Sequence, residues 1–246
     1  MLVGAMGDAH GGRFLPEDLG RQLEDLDLLL LAGDITDRNS LEGFDHVLGL
    51  IREHTHAPIV SIFGNDEYSQ DRERYRERFD ITFLDDQAID LEVRGITMRI
   101  VGTTGSLDRP TWWQRTNLPN IWKEYRDRVS TLDELLQRDG RDLLILLSHY
   151  APTYLTLAGE REKAFPEMGS RSLEKVLLRR CPDLVLHAHA HAGTPTAKLS
   201  REQRSLDDFE ERGEIPIWNV SLPLNGKVIR FYITKEDRAV VTVQQR

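Results

Sequence analysis

The stretch Leu28-Leu29-Leu30-Leu31-Ala32-Gly33-Asp34-Ile35-Thr36-Asp37 decides how the rest of this chain is read. Four leucines in succession read as a buried strand, and the Gly-Asp pair that follows puts a carboxylate just beyond its end. Upstream, Leu2–Met6 reads as a strand and residues 16–23 as a helix. Downstream, residues 41–53 space Phe44, Val47, Leu48 and Ile51 along one helical face. Pro58 then breaks the pattern and residues 59–63 resume a strand. This β-α-β opening predicts a parallel sheet.

Farther along, residues 67–79 form a highly charged helical stretch. Residues 81–84, 88–93 and 96–101 read as strands with turns at Asp85-Asp86 and Gly95, which predicts a change to antiparallel pairing. A helix over 123–137, an apolar strand over 143–147, a helix over 172–180 and a strand over 183–187 follow. Strands at 217–220, 228–233 and 239–243 end the pattern. Residues 103–121 and 192–216, the latter with the charged segment Arg201 to Arg212, lack periodicity and are expected to be loop insertions.

With 246 residues, 39% hydrophobic and 30% charged, the chain is expected to be one domain spanning 1–246. No apolar run approaches bilayer length and the N-terminus shows no signal sequence, so no membrane partner and a cytoplasmic location are expected. Cys181 is the only cysteine, which excludes an intrachain disulfide and a thiolate cluster. The net charge of -9 makes nonspecific nucleic-acid binding unfavourable.

Five polar clusters fall at or just past the ends of predicted strands, where open α/β sheets place ligands. They are Asp8-Ala9-His10, Gly33 to Asp37, Gly64-Asn65-Asp66-Glu67, Ser148-His149-Tyr150 and His187-Ala188-His189-Ala190-His191. Carboxylate oxygen and imidazole nitrogen suit divalent ions such as Mn, Fe, Zn, Ni or Co. Two such ions, about 3.5 to 4 Å apart, activate a shared water and neutralise the charge that builds on a phosphoryl group.

The order of these clusters resembles that of the calcineurin-like metallophosphoesterases: D-x-H, G-D-x-x-D, G-N-H-[DE], a lone His, then G-H-x-H. The resemblance runs from Asp8 to His191. It implies a four-layer α/β/β/α sandwich with two mixed sheets. By the same likeness, Asp8, His10, Asp34 and His191 would bind one ion and Asp34, Asn65, His149 and His189 the other. The implied activity is hydrolysis of a small phosphorylated substrate by a metal-bridging hydroxide, with phosphodiesters slightly preferred over monoesters. A noncatalytic scaffold or a nuclease on the same fold are the alternatives, and an oligomer is compatible with either.

Two positions depart from the family pattern. Asp66 stands where the family often has a histidine that protonates the leaving group, and its simpler reading is a helix N-cap. His187 precedes Ala188 where the family usually has glycine, so three histidines at a period of two compete for two ligand places. His189 and His191 are favoured because the strand ends just before them, which leaves His187 a packing or supporting role. Asp37 either orients a neighbouring site group or caps the helix at Leu41, and Glu67 reads as structural. Trp112, Trp113, Arg115, Trp122 and Tyr125 form an aromatic and cationic group suited to a lid, to ordinary packing or to a subunit interface.

Overall fold

The computed structural model describes residues 1–200, 214–235 and 239–243. The strands are β1 (Leu2–Met6), β2 (Leu28–Leu31), β3 (Ile59–Ile62), β4 (Thr82–Leu84), β5 (Gln87–Val93), β6 (Ile96–Thr103), β7 (Leu143–Ser148), β8 (Leu184–His187), β9 (Thr196–Leu199), β10 (Ile215–Asn219), β11 (Ile229–Lys235) and β12 (Ala239–Val243). The helices are α1 (Leu19–Leu23), α2 (Leu41–Arg52), α3 (Arg72–Arg78), α4 (Trp112–Asn117), α5 (Ile121–Leu135), α6 (Arg171–Arg180) and α7 (Leu222–Asn225).

The strands form two six-stranded mixed sheets, ordered β12-β11-β1-β2-β3-β4 and β5-β6-β7-β8-β10-β9. Four neighbouring strands of each are parallel, β1 to β4 at one side of the first and β6-β7-β8-β10 at the centre of the second, and the remaining pairings are antiparallel.

The leucine run explains the layering. Leu29 and Leu31 pack against α1, α2 and α3 through Leu23, Phe44, Val47, Ile51 and Tyr75, whereas Leu28 and Leu30 face the second sheet through Ile100, Ile145, Leu147 and Leu186. A strand between two apolar layers has no polar face, and each fully buried leucine contributes about 1.5–3 kcal/mol. The second sheet repeats the scheme. Ile145 and Leu147 point inward, while Leu144 and Leu146 pack on Leu132 of α5 and on Leu173, Val176 and Leu177 of α6. The result is an α/β/β/α sandwich.

Several elements differ from the sequence reading. β4 pairs in parallel with β3 and ends the first sheet, so antiparallel pairing starts only with β5 and β6. The charged stretch 67–79 is a 3-10 turn, Ser69–Asp71, followed by the short α3. Residues 103–121 are not simply a loop, because β6 runs to Thr103 and α4 starts on a Thr111/Gln114 capping box. That T-x-x-Q signature is legible but lacks the apolar periodicity by which helices are found. Residues 192–216 contain the edge strand β9, and Arg201 to Arg212 lie outside the described residues.

Candidate metal centre

All five polar clusters come together at the carboxyl ends of parallel strands, with Asp8, Asp34 and Asn65 following β1, β2 and β3, and His149 and His189 following β7 and β8. The chain must turn sharply at these ends. Asp8, His10, Asp34 and His189 all have positive φ, at 57°, 45°, 50° and 67°. Asp and His tolerate this region better than most residues, but each still costs about 1–2 kcal/mol. Four such residues in one place mark a site whose geometry is imposed by the surrounding fold.

The side chains form two groups. One ligand atom each from Asp8, His10 and His191 lies within 4.8 Å of the others, and the same is true of Asp34, His149 and His189. In the first group His191 Nε2 is 3.4 Å from Asp8 Oδ2. In the second, His149 Nε2 is 3.4 Å from Asp34 Oδ2 and 3.2 Å from Asn65 Oδ1. The groups are joined directly, because the His189 backbone N–H donates to Asp8 Oδ2 at 2.8 Å. His149 is oriented by its other nitrogen, with Nδ1 2.9 Å from the Ala32 carbonyl, so that Nε2 is turned toward the carboxylate.

The charges of the two groups are set by burial and by one another. Burial opposes ionisation of Asp8, yet hydrogen bonding from the His191 ring and the charge of His149 hold its carboxyl well below the usual carboxylate range. Burial also opposes a charged His149, but the Asp34 carboxylate pushes this ring up to about 10. Burial and the neighbouring His149 charge push His189 down to about 3, which leaves a neutral imidazole with a free lone pair. The buried Oδ1 of Asp8 has no hydrogen-bond partner among the described residues. An orphaned carboxylate oxygen beside imidazoles, with no thiolate in the set, fits a hard or borderline divalent ion.

The loops that carry Asp34 and Asn65 are clasped by Glu67, which is 1% exposed. Its carboxylate accepts the backbone N–H groups of Asp34 and Ile35 at 2.9 Å, Thr36 at 3.1 Å and Gly64 at 2.7 Å. Burial and the adjacent Asp34 charge push Glu67 up to about 7 in spite of these donors. The close approach requires glycine at 64, where a Cβ would lie 2.1 Å from Asp34 Oδ1.

Asp66 caps no helix; Tyr68 precedes the 3-10 turn and Asp71 precedes α3. Its N–H donates to Asp34 Oδ1 at 2.7 Å and its Oδ2 lies 3.3 Å from His10 Nδ1. Burial would raise the Asp66 pKa, but the hydrogen bond to His10 prevails and lowers it. Asp37 does not cap α2 either, since Ser40 accepts the Gly43 N–H at 3.0 Å. Asp37 instead lies with His10 and Asp66 in a third, more exposed group. His187 is buried outside these groups, with Nδ1 2.8 Å from the Ala188 carbonyl and Nε2 without a partner among the described residues.

Tyr125 is buried with Leu107, Ile121 and Tyr150, whereas Trp112 and Trp113 are 70% and 58% exposed. Tyr150 carries no role legible in the sequence alone. Its ring packs 4.9 Å from that of His189 and 5.4 Å from that of His149, and its hydroxyl accepts from Gln114 of α4 at 3.4 Å.

A two-sheet α/β sandwich with carboxylate and imidazole groups gathered at its strand ends defines a metallohydrolase architecture. The family profile of the calcineurin-like phosphoesterases matches residues 1–193, and the chain belongs to that family. It is a metal-dependent phosphoesterase.

Solved structures share the fold. TT1561 of Thermus thermophilus is 16% identical with a TM-score of 0.56, over 93% of this chain and 92% of that one. Calcineurin-like phosphoesterase YfkN from Bacillus subtilis is 14% identical with a TM-score of 0.55, over 99% and 90%. A putative 5'-nucleotidase from Staphylococcus aureus is 12% identical with a TM-score of 0.60; the match covers 99% of this chain but only 52% of that one. No curated protein matches the sequence. No helix among the described residues is long and apolar enough to cross a membrane.

Proposed function

We propose that each cluster takes one divalent ion, Mn, Fe, Zn, Ni or Co, and that the chain hydrolyses a small phosphorylated substrate. Asp8, His10 and His191 hold one ion, His149, His189 and Asn65 the other, and Asp34 lies between them as the shared ligand. The observation that carries this reading is the pairing itself: two carboxylate-imidazole groups, each within 4.8 Å internally, joined by the His189 N–H on Asp8.

When bound, such a pair of ions lowers the pKa of water and draws charge from the phosphoryl oxygens. The chain's part is to fix its ligands in advance. Glu67 and the Ala32 carbonyl set Asp34 and His149, so little reorganisation accompanies reaction. Asp66 steadies the His10 ring. A putative 5'-nucleotidase among the structural neighbours supports a small phosphorylated substrate. Diesters are taken slightly ahead of monoesters because family members with a residue other than histidine after the metal-binding asparagine, as Asp66 is here, often resemble phosphodiesterases. A lone cysteine, Cys181, accords with a cytoplasmic setting.

The test is a screen of bis-aryl and mono-aryl phosphates with the metal-free chain, reloaded separately with Mn, Co, Ni, Zn and Mg. Metal-dependent turnover is expected, faster on the diester. No turnover of either ester with any ion would assign the fold a scaffold role instead.

A further inference from the structure

The segment that follows β10 lies beyond the 1–193 family match, yet it is wired into the proposed metal centre from both sides. Gly7, immediately before Asp8, donates its N–H to the Val220 carbonyl at 3.0 Å and accepts the Leu222 N–H at 3.0 Å. Val220 N–H donates to the His187 carbonyl at 2.7 Å, at the start of the histidine turn. Just before these contacts, at the end of β10, stands Asn219, fully buried and in register with His187 across β8 and β10.

The Asn219 side chain uses both of its ends. Nδ2 donates to the Ala190 carbonyl at 2.7 Å, and Oδ1 accepts the Ser221 N–H at 3.2 Å. Its backbone is also satisfied, with N–H on the Pro195 carbonyl at 2.9 Å and its carbonyl taking Asn225 Nδ2 at 2.8 Å. A buried amide with this many fixed partners cannot rotate without orphaning several groups. Ala190 is the residue between His189 and His191, and His189 sits at φ 67°. The strained turn that presents both imidazoles is therefore tied to the same short segment that holds Gly7, the residue next to Asp8.

We propose that Asn219 is a positioning residue for the metal centre, setting the separation between Asp8 and His191 and so the affinity of their cluster for its ion. This rests on the two-ion reading above. The effect is selective, because His189, the other neighbour of Ala190, keeps its own N–H on Asp8 Oδ2 and its packing against the Tyr150 ring. The Asn219 side chain is spent on Ala190 and Ser221, and the Asp34 and Asn65 loops are secured independently by Glu67. His191, with its side chain 41% exposed, has little packing of its own to hold it once the Ala190 carbonyl is released. His149 is fully buried and anchored to Ala32. Removing partners that orient metal ligands typically weakens metal binding by about 10–100-fold.

The experiment is a calorimetric titration of the metal-free full chain with Mn(II), comparing wild type with Asn219→Asp, which removes the donor to Ala190, and Asn219→Ser, which shortens it without adding charge. Leu132→Ala, in the core between the second sheet and its helices, serves as a control for general destabilisation. Two ions per chain are expected for wild type and Leu132→Ala. In either Asn219 variant, one ion should bind at least about tenfold more weakly and the other should be little changed. Asn219→Asp should add nothing to the metal loss of His191→Ala. If wild type takes two ions and both folded Asn219 variants match it, or if both ions weaken equally, the inference is overturned while the metal centre stands. If wild type takes no ion, the two-ion reading is overturned and this inference with it.

Discussion

The Glu67 carboxylate accepts the backbone N–H of Asp34 at 2.9 Å, and with three further N–H groups it closes the loop on which that aspartate stands. Glu67→Gln keeps the shape but replaces one acceptor oxygen with a donor, leaving two N–H groups facing an NH2. The expected loss is at least about 2 kcal/mol, with unfolding temperature lowered by roughly 5 °C or more. Thermal unfolding of the two proteins measures this. An unchanged unfolding temperature would show that the clasp carries no stability.

The three-histidine run separates by position. His191 lies with Asp8 and His10, whereas His187 is fully buried and outside the cluster. His191→Ala should lose about one ion per chain, and His187→Ala should retain both while losing stability through an unfilled core site. Elemental analysis after dialysis at fixed free metal distinguishes them. The reverse pattern would move the register by two residues.

Asp66 receives donors on both oxygens, from Asn65 at 3.2 Å and from Arg38 at 3.4 Å, and faces His10. A carboxylate engaged as an acceptor is poorly arranged to protonate a departing oxygen. Rates should therefore fall steeply as leaving-group pKa rises from aryl to alkyl phosphates, and Asp66→His should flatten that slope. Equal rates on both classes in wild type, unaltered in Asp66→His, would falsify this reading.

How far the sequence foretells this arrangement depends on which signals are local. The apolar runs at 28–31 and 143–147 read directly as buried strands, because a strand covered on both faces leaves no other pattern. The five polar clusters are visible because each follows such a run. What escapes is nonlocal. Asn219 is an ordinary polar residue at a strand end until β10 is seen to lie beside β8, and Tyr150 acquires its contact with His189 only through the parallel pairing of β7 and β8. β4 reads as the start of the antiparallel region because a short strand carries no record of which sheet it joins.

Acid stability offers a test away from the metal centre. Asp142 is lowered to about 2 by Lys235, which reaches it from β11, and by hydrogen bonds from Thr97. A depressed folded-state pKa means that this contribution is fully present above the unfolded value near 3.8 and is lost as pH falls toward 2. Asp142→Asn should make unfolding less pH-dependent across that window and leave the dependence above pH 5 unchanged. Denaturant titrations at stepped pH measure it; parallel curves for both proteins from pH 5 to 2 would show that Asp142 does not contribute to acid stability.

In this phosphoesterase the two carboxylate-imidazole clusters should hold the ions needed for turnover. Metal content and bis-aryl phosphate hydrolysis measured on the same samples, before chelation, after chelation and after reloading, test it most directly. Two ions per chain, activity abolished with their removal and restored with their return, and both lost in Asp34→Asn, are the predicted results. Hydrolysis that persists undiminished in the metal-free chain, or full metal content and activity in Asp34→Asn, would contradict it.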